Sequence, residues 1–385
     1  MTRTRWRDGG GPARRVTPVE IFFDVVFVFT FTQLTRMLEE HLTLATLGQV
    51  VLLFGILWWM FDGYVWLANH VPPRQASQKL LLFVGMAGLL VAAIGIPHAF
   101  EGTGLVFAGG YLVTICVHLL LFSQADVGRA VGRLAAYNLT AGLLLVAGGF
   151  ADGTARTALW VVALVLQMIV PYLVPRHSWV GAARSFHLAP AHLVERHGLL
   201  VIIALGESVV AIGMGVDTSH LGAGTIAVVV LALALPAGLW WTYFTDARAA
   251  EETLARTEGG AGVRLAVRLG LALVPLLLGI VVTAAGIHAA VAHPGDPVHW
   301  PEALALAGGV AAYLASVADS RRALGVRPVW RRLLTAAAVL ATVPIGTEVN
   351  AGLQLAGVVA VVAVPLVLER GRHAEAASAV ERAEA

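Results

Sequence analysis

The chain has 385 residues, of which 58% are hydrophobic and 13% are charged, and its formal net charge is +2. Soluble domains carry about 25% charged residues and lack repeated apolar runs of about 20 residues. The composition therefore predicts a polytopic membrane protein in a lipid bilayer, and the small net charge gives no sign of a nucleic-acid partner. The single cysteine, Cys116, excludes a disulfide framework or a thiolate metal site.

Apolar windows of about 20 residues predict an all-α fold with twelve transmembrane helices. A basic tail, residues 1–15, comes first, and it lacks the features of a cleavable signal peptide. The first six windows are 18–38, 45–67, 79–97, 103–123, 130–150 and 155–174. The second six are 193–215, 221–244, 264–290, 301–319, 331–348 and 350–369.

The basic residues predict the orientation of these helices. If all twelve windows cross the membrane and the N-terminus is cytosolic, 24 of the 26 lysine and arginine residues fall in cytosolic segments. Only Arg36 and Arg156 fall outside. This distribution satisfies the positive-inside rule, so we expect both termini in the cytosol and the protein in the cell membrane.

The two sets of six windows resemble each other, which predicts an internal duplication. The matched stretches are LWWMFDGY (57–64) with LWWTYFTD (239–246), AAIGIPHAF (92–100) with TAAGIHAAV (283–291), and AGGYLV from Ala108 with AGGVAA from Ala307. Because six is an even number, the repeats are expected to be parallel and related by an axis along the membrane normal.

This duplication predicts a division of the chain. We expect six-helix repeats at 16–176 and 193–370, a cytosolic linker at 177–192 and a cytosolic tail at 371–385. The offset that aligns the tryptophan pairs, Trp58-Trp59 and Trp240-Trp241, brings Asp24 within one residue of Glu207. Each repeat therefore has one acid in its first helix.

Two longer motifs carry a family resemblance. The stretches RVTPVEIFFDVVFVFTFTQL from Arg15 and HLVERHGLLVIIALGESVVAIG from His192 resemble the bacterial low temperature requirement A family of integral membrane proteins, over residues 14–370. The resemblance implies the fold more than a particular activity. It carries over Glu20, Phe22, Phe23, Asp24, Glu195, Arg196, Gly198, Gly206 and Glu207, with the tryptophan pairs behind them.

Glu20 and Asp24 lie one helical turn apart in the first window. Thr17-Pro18-Val19-Glu20 fits a capping box, which gives Glu20 a structural role at the start of the helix. Asp24 lies six residues past Pro18, about 9 Å into the helix. Two interpretations of Asp24 stay open: a functional intramembrane acid, or an ion pair with an arginine from a neighbouring helix end.

Glu207 lies twelve residues past Glu195, about 18 Å along the same helix. Its face carries small residues that predict close packing against another helix, namely Ala204, Ser208, Ala211 and Gly215. Arg196 lies nearly on this face and could guard a cytosolic entrance. We predict an ion, proton or substrate site from Asp24, Glu207, Glu20, Arg196 and Glu195. The alternative for Glu207 is a buried, protonated, hydrogen-bonded acid.

Four further residues are secondary candidates. His118 lies mid-span and is a candidate proton relay. Asp62 and Asp246 follow the tryptophan pairs and could bind loop arginines, and Glu348 could serve as a helix cap. Two mid-span amides, Asn138 and Gln167, are expected to join helices. Histidine spacings typical of metal sites are missing from the predicted spans, so we expect neither a metal nor a cofactor.

Twelve spans, parallel halves and one buried acid per half favour a secondary transporter or ion-translocating protein for an unknown small solute or ion. A membrane-embedded enzyme acting on a lipid is a second hypothesis. It is weakened because the catalytic motifs of soluble enzymes, such as GxSxG and the Walker lysine, are missing from the sequence. A non-transporting sensor or scaffold is a third, and the short predicted cytosolic loops leave little room for a signalling domain.

Overall fold

The structure is a computed structural model that describes residues 15–70, 73, 75–124, 129–169, 188–216, 222–257 and 259–384. Most of the predicted basic tail, the end of the sixth predicted span and most of the predicted linker at 177–192 lie outside these ranges. Every regular element within them is an α-helix.

The structure describes fourteen helices. In chain order they are α1 (Pro18–Glu40), α2 (Leu44–His70), α3 (Ala76–Ile94), α4 (Gly104–Phe122), α5 (Arg129–Phe150), α6 (Gly153–Met168) and α7 (Pro190–Gly215). They continue as α8 (Ala223–Phe244), α9 (Ala247–Arg256), α10 (Gly259–Ala292), α11 (Trp300–Ala323), α12 (Trp330–Leu340), α13 (Val343–Glu348) and α14 (Ala351–Glu384).

These helices are those of a membrane protein. Within the described ranges, eight helical segments are long and apolar enough to cross a bilayer, and α5, α6 and α14 contain shorter apolar segments. Large apolar side chains also lie on the outside of the bundle, such as Met214 at 73% exposed and Val230 at 62% exposed. Contiguous apolar surface of this kind suits contact with lipid rather than with water.

The eleventh predicted span, 331–348, is not one continuous helix. It consists of α12 and α13, which are separated at Ala341 and Thr342. Pro344 gives the physical reason, because it has no N–H to donate to the carbonyl four residues earlier and its ring crowds that carbonyl. That carbonyl belongs to Leu340, the last residue of α12. The short helix α9 also lies in a segment for which no helix was predicted.

Helix α1 connects the two predicted halves of the chain. It packs on α2 and α3 from the first half and on α7 and α10 from the second. On the α2 side the contact is aromatic, with the rings of Phe27 and Phe61 stacked at a centroid distance of 4.1 Å. The side facing α7 carries the polar residues of the candidate site.

Two helix pairs cross at glycines. In the α3–α4 pair, a Cβ atom added to Gly88 would lie 2.8 Å from the carbonyl oxygen of Gly110. In the α10–α11 pair, a Cβ added to Gly279 would lie 2.6 Å from the carbonyl oxygen of Gly309. Both distances are shorter than a side chain tolerates, so each crossing depends on glycine to let the backbones approach.

Candidate site at the interface of α1 and α7

Helices α1 and α7 run in the same direction and begin in register. Each starts with a proline in its first turn, Pro18 and Pro190, where the missing N–H is not needed. At the start of α1, the backbone N–H and the hydroxyl of Thr17 both donate to Glu20 Oε2 at 2.7 Å. The predicted hydrogen bond from the cap amide to Glu20 is therefore confirmed. The other carboxyl oxygen, Oε1, faces His192 of α7.

Two acids of α1 face two bases of α7 at the same spacing. His192 Nε2 lies 3.2 Å from Glu20 Oε1, and Arg196 Nη2 and Nε donate to Asp24 Oδ1 at 3.0 and 3.2 Å. Both pairs are separated by 172 residues in sequence, as are the two prolines. The i, i+4 spacing of the acids on α1 thus matches the i, i+4 spacing of the bases on α7.

Asn69 of α2 fixes the orientation of the His192 ring. The Asn69 side-chain nitrogen, Nδ2, donates to the carbonyl of Ala189, and the side-chain oxygen, Oδ1, accepts from the Ala189 N–H. These two bonds determine which atom of the side-chain amide is the nitrogen. That nitrogen lies 3.3 Å from His192 Nδ1 and can only donate. Nδ1 is therefore the acceptor, so Nε2 carries the proton and donates to Glu20.

Aromatic rings bury Asp24 and most of Arg196 away from solvent. Asp24 is 0% exposed and Arg196 is 2% exposed. The guanidinium carbon lies 5.8 Å from the ring centroids of both Phe23 and Phe61, within cation–π range. A buried ion pair is much harder to separate than a surface pair, because each charge would be left in a medium of low dielectric.

A small cavity reaches this cluster. Glu20, Tyr64 and Arg196 line it, together with residues from the ends of α2 and α3, and its volume is about 30 Å³. A cavity of this size holds one or two water molecules, and its lining is polar enough to bind them. Water can therefore contact the arginine from the end of the bundle where α1 begins.

Glu207 has a different set of neighbours. Its Oε2 accepts a hydrogen bond of 2.8 Å from the hydroxyl of Thr32 on α1, and its side chain is 4% exposed. The small-residue face of α7 packs as predicted, because a Cβ added to Gly215 would lie 2.8 Å from the carbonyl oxygen of His288 on α10. His288 Nδ1 lies 3.7 Å from Glu39 Oε1 at the far end of α1.

Asp24 and Glu207 therefore occupy different depths of one interface. Asp24 lies six residues past Pro18, and Glu207 lies seventeen residues past Pro190. Because the two helices start in register and rise 1.5 Å per residue, the acids are about 16 Å apart along the helix axes. The structure brings Asp24 to Arg196 and Glu207 to Thr32, and does not bring the two acids together.

The other predicted residues are dispersed. Glu195 is exposed and its Oε2 accepts from the backbone N–H of Val16 at 3.2 Å. Asp246 binds an arginine as predicted, but Arg321 lies in helix α11 rather than in a loop, with its Nη1 2.9 Å from Asp246 Oδ2. Glu348 is the exposed last residue of α13.

His118 and Asp62 are the secondary candidates that lie near the cluster. The His118 ring is buried and meets the ring of Tyr64 edge-on at 5.1 Å. Asp62 lies on α2, two residues before Tyr64. Within the described ranges, no group of three or more His, Cys, Asp or Glu side chains is placed to hold a metal ion.

The predicted amide contacts are confirmed. Trp59 Nε1 donates to Asn138 Oδ1 at 2.7 Å, and the hydroxyl of Tyr111 donates to Gln167 Oε1 at 3.1 Å. These bonds join α2 to α5 and α4 to α6. Neutral polar groups thus connect these helix pairs, whereas charged groups of both signs meet between α1 and α7.

The residues of the site that were missed from the sequence include His192 and Thr32. The signal for His192 was available, because it stands four residues before Arg196 as Glu20 stands four before Asp24. Complementary i, i+4 pairs on two helices predict that the helices meet. Thr32 offered no such signal, since one hydroxyl in an apolar helix can also bond its own backbone.

Together these features define a class: a polytopic α-helical membrane protein with buried charges between two parallel helices. Residues 15–367 match the family described as Bacterial low temperature requirement A protein (LtrA), and the chain belongs to this family. It is also 31% identical over 316 residues to an uncharacterized protein of Rhizobium meliloti (strain 1021), covering 79% of this chain and 76% of that protein. The predicted family resemblance is thereby confirmed.

Proposed function

We propose that the protein is a secondary transporter or ion-translocating protein that moves a small ion or solute along the α1–α7 interface. The observation that carries this proposal is the burial of Glu20, Asp24, Arg196 and Glu207 along one interface between apolar helices. Charged side chains within a membrane-spanning helix cost several kcal/mol on most scales, and they commonly mark ion or substrate pathways.

The position of the interface supports the proposal. Helices α1 and α7 are the first helices of the two proposed repeats, and substrate sites of repeat-built transporters lie between the repeats. The water-sized cavity beside Arg196 supplies access from one end. The acid Glu207, about 16 Å further along the axis, supplies a second polar position beyond the aromatic rings.

Equivalent contacts support the two-repeat arrangement. The alignment of 92–100 with 283–291 equates Gly88 with Gly279, and the alignment from Ala108 and Ala307 equates Gly110 with Gly309. These are the glycines at which α3 crosses α4 and α10 crosses α11. An offset derived from sequence thus predicts matching backbone contacts in the two halves, as a duplicated fold requires.

We further propose that twelve segments cross the cell membrane with both termini in the cytosol. Support comes from the basic residues, of which 24 of 26 fall on the cytosolic side under this arrangement. In this arrangement α12 and α13 together make the eleventh crossing. A broken helix is tolerated at membrane depth where it is buried in protein or lines a water-filled cavity.

The test is the flux of protons and monovalent cations through purified protein in liposomes. We expect wild-type protein to carry flux and Asp24→Asn and Glu207→Gln to lose most of it. Matched controls are Asp319→Asn and Glu251→Gln, which change exposed acids of the same types and are expected to carry normal flux.

Folding of each variant is checked by size-exclusion chromatography and thermal denaturation before flux is measured. Absence of flux through folded wild-type protein under every imposed gradient would contradict the proposal. The lipid-directed enzyme and the scaffold would then replace transport as working hypotheses, with Asp24 and Arg196 as a structural pair.

A further inference from the structure

Asp62 and His197 lie beside the Asp24–Arg196 pair and take no part in it. Asp62 is on α2, His197 is on α7, and both contact Gly270 of α10. A Cβ added to Gly270 would lie 3.4 Å from Asp62 Oδ1 and 4.0 Å from His197 Cε1. The carboxyl and the imidazole therefore border the same small space where three helices meet.

Three buried polar atoms in this region have no hydrogen-bond partner in the part of the chain that the structure describes. They are Asp24 Oδ2, Asp62 Oδ1 and His197 Nε2. Asp62 Oδ1 is therefore a buried carboxyl oxygen without a donor within the described ranges. Arg196 donates to Asp24, and among the described residues it forms no ion pair with Asp62, so it does not supply this donor.

One proton can satisfy two of these atoms. An ionised carboxylate only accepts hydrogen bonds, and a neutral imidazole nitrogen without hydrogen also only accepts. If a hydronium ion gives its proton to the Asp62 carboxylate and leaves as water, Asp62 becomes a donor. His197 Nε2, directly or through one water, is then the acceptor that the new donor requires.

We propose that Asp62 and His197 form an intramembrane binding site for one proton, with Gly270 keeping open the space in which they meet. This deepens the proposed function, on which it rests, by naming the proton as the ion that is moved or coupled. The titratable and charged groups around the site are Glu20 and Asp24 on α1, Tyr64 on α2, His118 on α4, and His192 and Arg196 on α7.

The charge inventory supports a proton at this place. Glu20, Asp24 and Asp62 are three acids served by one arginine, and Arg196 already bonds Asp24. Counting these acids as ionised and the arginine as charged gives two net negative charges, and a proton on Asp62 lowers this to one in a medium that penalises net charge. Within the described ranges, Asp62 forms no ion pair with a basic side chain, whereas Glu20 and Asp24 both lie near Arg196.

The test is infrared difference spectroscopy of the full chain in lipid nanodiscs, stepped between about pH 5 and about pH 9, the range in which histidines and perturbed carboxyls titrate. A protonated carboxyl has a C=O stretch distinct from that of a carboxylate. We expect one such band to vanish at high pH in wild-type protein and to be missing at all pH values in Asp62→Asn. We expect His197→Gln and Gly270→Ala to shift its frequency.

The matched control is Gly109→Ala, which adds the same methyl group where nothing lies within 4 Å. It is expected to leave the band unchanged. A band that persists in Asp62→Asn overturns the inference, and so does a band that responds to sodium at constant pH rather than to pH. If Asp62→Asn does not fold, the other two variants decide. A carboxyl band unchanged from wild type in both His197→Gln and Gly270→Ala would overturn the inference.

Flux and spectroscopy separate this inference from the proposed function. An Asp62 band in protein that carries no flux supports the proton site and contradicts translocation. Proton flux that is unchanged in folded Asp62→Asn contradicts the site and leaves translocation standing. Loss of both the band and the flux in Asp62→Asn supports both.

Discussion

The two ends of the α1–α7 interface handle a buried acid in opposite ways. At one end, Asp24 is bonded by a guanidinium that aromatic rings enclose. At the other, Glu207 is bonded by a single hydroxyl, that of Thr32, and no basic side chain within the described ranges forms an ion pair with it. The first end neutralises its charge internally, and the second does not.

The neighbours of each acid determine whether it can change its charge. Separating Asp24 from Arg196 would leave two buried ions, so the two side chains are expected to stay together. Glu207 loses no ion pair when it takes up a proton, and its hydroxyl partner can act as donor or as acceptor. The pair near the start of α1 thus resembles an anchor, whereas Glu207 has the properties of a group that binds and releases a cation.

Arg196→Met should produce the largest effect on stability. It leaves Asp24 buried without its counter-charge, and we expect a loss of about 3–5 kcal/mol in the free energy of unfolding. Reversible unfolding in detergent mixtures measures this change. Adding Asp24→Leu should recover most of the loss, because the remaining uncompensated charge is removed.

Arg248→Met is the matched control, since Arg248 is 91% exposed and forms only a surface pair with Glu252. It should cost less than about 1 kcal/mol. If Arg196→Met cost no more than this control, the Asp24–Arg196 pair would not be a closed, buried pair in the protein.

Much of this arrangement is local and can be predicted from sequence. Thr17, Pro18 and Glu20 are adjacent in the chain, so the cap follows from short-range chemistry alone. Apolar windows likewise locate the helices, because burial in lipid requires about 20 apolar residues in a row. The partner of Asp24 is different in kind, because it depends on which helices pack together and in what register.

The predicted sequence repeat did not indicate the register in which α1 packs against α7. The predicted repeat brings Asp24 within one residue of Glu207, which suggested one shared site, but matching positions in two predicted repeats need not be close in space. In space, residues of α1 meet residues of α7 at an offset of 172 near Arg196 and 175 near Glu207. The offset that aligns the tryptophan pairs is 182, and the difference of about three turns from 172 places the acids at separate depths.

The break between α12 and α13 shows a second limit. Pro344 accounts for it, yet Pro236, Pro275 and Pro365 lie within continuous helices. In membrane helices, neighbouring groups can satisfy the carbonyl that a proline leaves free, so proline alone does not decide between a kink and a break. That decision depends on packing, which a hydropathy window does not contain.

Thr32→Val should have an intermediate effect on stability and tests the hydrogen bond at the Glu207 end of the interface. Valine keeps the shape of threonine but removes the donor, and we expect a loss of about 1 kcal/mol in the free energy of unfolding. Thr32→Ser keeps the hydroxyl and serves as the control. Equal losses in the two variants would show that packing, rather than the bond to Glu207, makes Thr32 matter.

Glu207→Gln should have the smallest effect on stability, within about 0.5 kcal/mol of wild type. Glutamine keeps a carbonyl oxygen for the Thr32 hydroxyl, and no ion pair of Glu207 within the described ranges is lost. Asp24→Asn, an equally small chemical change, deprives Arg196 of its counter-charge and should cost several times more. Measuring the free energy of unfolding of Glu207→Gln and Asp24→Asn under the same conditions tests this difference. Similar losses in both variants would mean that Glu207 also depends on a cationic partner, and the two ends of the interface would then follow the same rule.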